Sequence, residues 1–238
     1  MTVCAPNLRA AAVHVWPVRL DEPVRSREPE VTLSADELAR AARFHLDRDR
    51  QRFLAARACL RRVLGAYVGI DAAQLTFCYS PQGKPHLENT DADIRFNVSH
   101  SDSMAVFGIT CGREIGIDIE TIRADVEIDE LAQRFFSPAE FETLSGMMPG
   151  AKIAAFFRTW TCKESFLKGE GVGLSWPLDG FDVEVNLAKP AALLATRPNA
   201  SHAGHWSLRL LDIADGYAAA VAVKGTIEEL SIFPAICG

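Results

Sequence analysis

The sequence predicts an α+β fold built as two halves of the same order, each running strand, helices, strands. Three observations predict it. Strand-like runs recur in both halves, at 11–18, 94–98 and 104–110 and again at 115–120, 205–211 and 217–223. Helical segments opened by capping signals lie between them. The runs SMAVFGITCG at 103–112 and GYAAAVAVKG at 216–225 occupy equivalent places, with slight identity between them. With 238 residues, 48% of them hydrophobic, the chain can bury a substantial core without staples.

In chain order, AAVHVWPV at 11–18 reads as a first strand, and a polar, proline-containing link follows at 21–29. Ser34 with Glu37 three residues later forms a capping box for a short helix. A longer helix is predicted over 49–68, with Phe53, Leu54, Ala58, Leu60, Leu64 and Tyr67 as its apolar surface and Gly69 closing it. Residues 75–79 form a strand that runs into SPQGKPHL, where Gly83 frees the backbone of a turn and Lys84 offers a compact cation. The strand at 94–98 continues into Ser99 and His100. Neighbours on an extended chain face opposite ways, so these two make a poor nucleophile and base pair. In the second half a helix is predicted around 128–136 and another after the SPAE box at 137–140, with strands near 181–185, 205–211 and 217–223.

The chemistry-bearing residues concentrate in two runs. A helix without internal Gly or Pro is predicted from 153 to 168, ended at Gly169 by GEGVG. Its apolar stripe of Ile153, Phe157 and Trp160 continues into Glu164 and Lys168, so a carboxylate and an amine stand where core residues would come next. An exposed Glu–Lys pair worth roughly 0.3–0.5 kcal/mol is the plain alternative. The second run, IGIDIE at 115–120, alternates as a strand, with Ile115, Ile117 and Ile119 on one face and Gly116, Asp118 and Glu120 on the other. Glu164 joined to Asp118 and Glu120 would give three hard oxygen ligands, a set that suits Mg²⁺ bound with waters and substrate phosphates.

GIDIE at 116–120 followed by WTCKESFLK at 160–168 resembles the hallmark of the 4′-phosphopantetheinyl transferases of the larger, single-chain type that includes the surfactin-synthetase activator. GKP at 83–85, FNVSHS at 96–101, RFFSPAE at 134–140 and GEGVGLSWPLDGF at 169–181 extend the resemblance in colinear order over most of the chain. It implies a pseudo-duplicated fold with the active site in the cleft between halves, expected at 1–112 and 113–238. The first half would contribute to coenzyme A binding. The second would bring the metal-binding carboxylates, the catalytic helix and the carrier-protein docking surface.

The implied reaction moves the 4′-phosphopantetheine arm of coenzyme A onto a serine of an apo carrier protein, with release of adenosine 3′,5′-bisphosphate and dependence on Mg²⁺. Asp118, Glu120 and Glu164 would hold the metal. Glu164 would serve as general base, directly or through a metal-bound water, and Lys168 would hold the phosphates and stabilise the leaving group. The resemblance assigns Arg52, Gly83, Lys84, Pro85, Ser99, His100, Asp118 and Lys168 to the coenzyme, with Arg52 at its 3′-phosphate and Arg57 matching an arginine of some branches, while Lys163, pointing elsewhere on the helix than Glu164, would face the coenzyme or solvent. One departure stands out. Where some members carry lysines for that phosphate, this chain has acidic or small residues near Asp36 and Ala39, for which Arg40 and Arg43 would substitute. A carboxylate-metal phosphohydrolase is the rival enzyme, but no second carboxylate or histidine cluster is visible for it. A non-catalytic binding module would have lost an acid or Lys168, and all four are present.

The formal charge of −6 argues against a general nucleic-acid binder, although arginines crowd the segment 40–62. Cys4, Cys59, Cys78, Cys111, Cys162 and Cys237 show no C-x-x-C or zinc-like spacing, and Cys162 has no matched base. No apolar run approaches the roughly 18 residues of a membrane span, so a cytoplasmic protein with no membrane partner is expected. A monomer is expected from the two-half layout. The carrier should dock against the second half at 134–148, with Phe135, Phe136 and Phe141 in the core and Met147 and Met148 as weak contact candidates.

Overall fold

The computed structural model describes residues 7–21 and 32–237. Cys4 and nearly all of the expected polar link lie outside these residues. β1 (Ala12–Arg19) is followed by α1 (Ala35–Ala41), α2 (Asp47–Val68), the hairpin β2 (Phe77–Tyr79) and β3 (Pro85–Leu87), then β4 (Ile94–Ser101) and β5 (Met104–Cys111). The second half runs β6 (Ile115–Thr121), α3 (Ile128–Phe135), α4 (Pro138–Ser145), α5 (Pro149–Glu170), the hairpin β7 (Phe181–Val183) and β8 (Leu193–Thr196), then β9 (Trp206–Leu210) and β10 (Tyr217–Lys224). β11 (Glu229–Ile232) and β12 (Ile236–Cys237) close the chain.

The two halves share one topology. β5 lies between β1 and β4 and is antiparallel to both, while β10 lies between β6 and β9 and is antiparallel to both. In each half a helix of 22 residues, α2 or α5, separates the first strand from the final hairpin. The expected pseudo-duplicated α+β architecture is therefore present. The tail departs from a clean split, because β11 and β12 return to pair in parallel with β1 in the first sheet.

Period-two alternation builds four layers. Trp16, Val18, Phe96 and Phe107 face α2 and meet Leu60 and Leu64. The opposite faces of the strands carry Val13, Val15 and Val106 against Ile115, Ile117, Ile119, Val221 and Val223 of the second sheet. Beyond that sheet, Ala220, Ala222 and Leu208 meet Phe166 and Leu167 of α5. Each fully buried Ile or Leu in such a layer contributes roughly 1.5–3 kcal/mol. Phe136 is buried, Phe135 and Phe141 pack partly buried against the core under α3 and α4, and Met148 is exposed.

Two boundaries correct the sequence reading. α5 begins at Pro149, and it does not stop at Gly169 but runs to Glu170, with Gly171 at φ 70 as its left-handed cap. Gly169 is needed inside the helix for close approach: a Cβ there would lie 2.6 Å from the Trp206 ring. Both capping boxes form as predicted, at Ser34/Glu37 and Ser137/Glu140. Among the described residues no helix is long and apolar enough to cross a membrane.

Candidate active site

Close contact between β6 and α5 sets the site. A Cβ on Gly116 would meet Ser165 O at 2.0 Å and Gly169 N at 2.2 Å, so only glycine lets the strand touch the helix backbone. The next residue on that strand face, Asp118, is thereby pressed against the helix carrying Glu164 and Lys168, and is 2% exposed. Lys168 Nζ donates to Asp118 Oδ1 at 2.5 Å and to Ser99 Oγ at 3.0 Å, and Ser99 Oγ donates to the same Asp118 oxygen at 2.9 Å.

β4 lies beside β6, and its polar side chains stitch the halves together. Ile117 N donates to Asn97 Oδ1 at 3.0 Å, Ser101 Oγ donates to Glu120 Oε2 at 3.0 Å, and Thr121 N donates to Ser101 Oγ at 3.0 Å. Asn97, Ser99 and Ser101 thus form one polar strand face opposite Gly116, Asp118 and Glu120. Asn97 and Ser101 escaped the sequence reading, although their i,i+2 spacing from Ser99 carries the signal.

A cleft of about 320 Å³ opens beside this junction, lined by Gly83, Lys84, Pro85, Asn97, Glu164, Leu167 and Lys168 among others. The turn delivering Gly83–Pro85 is the β2–β3 connection, with Gly83 at φ 84, which strongly favours glycine. Lys84 Nζ donates to Glu114 Oε2 at 2.9 Å and to Gly169 O at 3.0 Å. It therefore fastens the turn to the C-terminal end of α5, where a cation suits the helix dipole. Gln82, Gly171 and Gly173 also line the cleft and were not anticipated.

The other expected coenzyme residues separate. His100 and Arg52 line a neighbouring pocket of about 330 Å³ with Phe44, Phe53, Asp49 and Asp102. Arg57 donates to Glu37 Oε1 and to Tyr79 OH, both at 2.6 Å, and stacks on Phe77. Lys163 is the clear correction. Its side chain is wholly buried, paired with Glu140 at 2.8 Å and bonded to Leu178 O and Phe181 O. Adjacent helix residues point about 100° apart, so bringing Glu164 to the cleft turns Lys163 into the core. Burial depresses its pKa, against the opposing pull of Glu140. Cys162 is buried too, its thiol pushed up to about 12, which matches an inert thiol.

Electrostatically the junction holds three carboxylates under strain. Burial raises the pKa of Asp118 against the opposing charge of Lys168. Glu120 is raised by burial and then by Asp118, and Glu164 by burial with further upward push from Asp118 and Glu120. Among the described residues no acidic, histidine and cysteine side chains are gathered tightly enough to form a metal cluster, and the Lys168 ammonium sits on Asp118 instead. Asp118 Oδ2, however, is buried without a hydrogen-bond partner. A hard, oxygen-rich donor set with an orphaned carboxylate oxygen has the chemistry that suits Mg²⁺.

The family model described as 4′-phosphopantetheinyl transferase superfamily matches residues 114–222, and the one described as 4′-phosphopantetheinyl transferase, N-terminal, matches 29–111. The 4′-phosphopantetheinyl transferase HetI of Nostoc sp. is 40% identical over 225 residues, covering 92% of this chain and 92% of the relative. The 4′-phosphopantetheinyl transferase Sfp of Bacillus subtilis is 31% identical over 175 residues, 72% of this chain and 76% of the relative. Among solved structures, holo-[acyl-carrier-protein] synthase of Thermotoga maritima aligns with 48% of this chain and 63% of its own, at 18% identity and a TM-score of 0.38. The chain belongs to the 4′-phosphopantetheinyl transferases.

Proposed function

We propose that this transferase moves the 4′-phosphopantetheine arm of coenzyme A to a serine of an apo carrier protein and releases adenosine 3′,5′-bisphosphate, with Mg²⁺ as cofactor. The observation that carries the reading is the convergence of Lys168 and Ser99 on buried Asp118, beside a cleft lined by Gly83–Pro85 and Glu164. The carrier serine Oγ forms the new bond to the arm's phosphorus. The bond from that phosphorus to the bridging oxygen breaks, and adenosine 3′,5′-bisphosphate leaves with the electron pair.

Glu164 accepts the serine proton. Its raised pKa makes it a stronger base than an ordinary carboxylate. Lys168, already within bonding distance of Ser99 and Asp118, neutralises charge on the departing oxygen. Bound Mg²⁺, held by Asp118, Glu120 and Glu164, would supply further charge neutralisation on the pyrophosphate. The GKP turn and Ser99 border the donor, His100 flanks it from the neighbouring pocket, and the carrier docks on the second half near α3 and α4. The protein acts as a cytoplasmic monomer with no nucleic-acid or membrane partner.

The test is product stoichiometry. Chromatography should detect one adenosine 3′,5′-bisphosphate per carrier modified; EDTA should abolish both, and Glu164→Gln should slow both together by about 10²- to 10⁴-fold. Release of adenosine 3′,5′-bisphosphate without carrier modification would instead indicate hydrolysis.

A further inference from the structure

β4 and β6 meet through two matched contacts. Ser99 Oγ donates to Asp118 Oδ1 at 2.9 Å and Ser101 Oγ donates to Glu120 Oε2 at 3.0 Å, both across 19 residues. An offset repeated two residues further on means that the strands run in the same direction here, with their polar faces in register. Each carboxylate of IGIDIE therefore has one oxygen held by a serine of β4. The other oxygens are left over. Asp118 Oδ2 is buried without a hydrogen-bond partner, and Glu120 Oε1 has none among the described residues.

The two contacts differ in their support. Lys168 Nζ also donates to Asp118 Oδ1, at 2.5 Å, so that carboxylate is held twice. Ser101 is the only group among the described residues that hydrogen-bonds the Glu120 carboxylate.

The hydrogen on Ser101 has one place to go. Its oxygen accepts from Thr121 N at 3.0 Å and lies 3.2 Å from Thr121 Oγ1. A serine hydroxyl has one hydrogen and two lone pairs, and an ionised carboxylate supplies no hydrogen. Ser101 therefore gives its hydrogen to Glu120, and Thr121 Oγ1 donates to Ser101. Both lone pairs are thus claimed by Thr121, the residue after Glu120 itself, and the hydroxyl cannot turn without breaking one of these bonds.

A fixed carboxylate discriminates between cations in a way that a free one does not. Left to rotate, a glutamate offers a cation one oxygen or both. Mg²⁺ demands near-octahedral geometry and takes one or two carboxylates beside waters and phosphates, whereas Ca²⁺ accepts more oxygens, mono- or bidentate, in a flexible shell. Given a metal held by Asp118, Glu120 and Glu164, as proposed above, we infer that Ser101 is a positioning residue that selects it: by holding Glu120 Oε2, Ser101 leaves Oε1 as a single fixed ligand oxygen and favours Mg²⁺ over Ca²⁺.

Electron paramagnetic resonance of Mn²⁺ titrated with the full chain, with Mg²⁺ and Ca²⁺ as competitors, reads binding without requiring transfer. The wild type should bind Mn²⁺ and prefer Mg²⁺ to Ca²⁺. Ser101→Ala should weaken Mg²⁺ about 10- to 100-fold, the usual cost of losing a partner behind a metal ligand, and Ca²⁺ by less, so the preference shrinks. Ser101→Thr keeps the hydroxyl, suits a strand, and should restore the preference. A role confined to joining the strands would lower the metal-free melting temperature of Ser101→Ala and leave the Mg²⁺ to Ca²⁺ ratio as in the wild type, and that result would overturn the inference. So would a wild type that binds no Mn²⁺ or prefers Ca²⁺, or a preference that Ser101→Thr fails to restore. A wild type that prefers Mg²⁺ in this way yet modifies no carrier would sink the proposed function and leave this inference standing.

Discussion

Gly116→Ala should uncouple the two elements that build the site. The added methyl would start 2.0 Å from Ser165 O and 2.2 Å from Gly169 N, both backbone atoms that cannot rotate aside. Relief requires helix and strand to part by roughly 1.4 Å, the difference between 2.0 Å and the 3.4 Å at which ordinary contact begins. Overpacking of this kind costs about 1–3 kcal/mol. A misplacement near 1 Å at reacting groups costs about 10²-fold in rate, because Glu164 and Lys168 retreat from Asp118 together. Thermal melting and steady-state transfer kinetics would read both effects. Gly150→Ala is the control: its methyl would meet nothing within 4 Å, and Ala in a helix is favoured by up to about 1 kcal/mol. Wild-type turnover and melting in Gly116→Ala would refute the claim that strand–helix contact positions the carboxylates.

Three further outcomes follow from the same geometry. Glu164 has a raised pKa, so its ionisation opposes folding as pH climbs above the unfolded value of about 4.3. Glu164→Gln should thus raise the metal-free melting temperature near neutral pH but not below about pH 4, while slowing transfer about 10²- to 10⁴-fold; a pH-independent difference in melting would contradict the burial of this charge. Lys163→Met should destabilise by about 3–5 kcal/mol in urea unfolding, because Glu140 then keeps a buried charge without its cation, and adding Glu140→Gln should recover part of the loss. Asn97→Ala leaves the buried Ile117 N–H unpaired and should cost about 1–3 kcal/mol in the same assay, with an unchanged midpoint counting against the β4–β6 stitching.

What was legible in the sequence was what is local. The alternation of IGIDIE placed three isoleucines between the sheets and Gly116, Asp118 and Glu120 toward α5 without knowledge of either partner. The capping boxes named two helix starts, and the stripe from Ile153 to Lys168 aimed Glu164 at the cleft. What failed depended on distant partners. Nothing near Lys163 announces that Glu140 and the carbonyls of Leu178 and Phe181 enclose its ammonium, so a cation next to Glu164 read as a ligand contact. Gly169 looked like a helix stop because glycine usually is one there, whereas its role is to admit Gly116 and Trp206. The return of β11 and β12 to β1 joins the two ends of the chain, a pairing that short-range patterns do not encode.

The central claim is that Lys168, Ser99, Asp118 and Glu164 form a phosphopantetheinyl transfer site. Intact-mass spectrometry of apo carrier proteins, incubated with this protein, coenzyme A and Mg²⁺, tests it most directly. The account predicts that a carrier gains one phosphopantetheine arm on a single serine, and that Lys168→Ala or Glu164→Gln sharply slows the gain. An undiminished gain with both variants would contradict the assigned site, and no gain on any acyl, aryl or peptidyl carrier would contradict the proposed reaction.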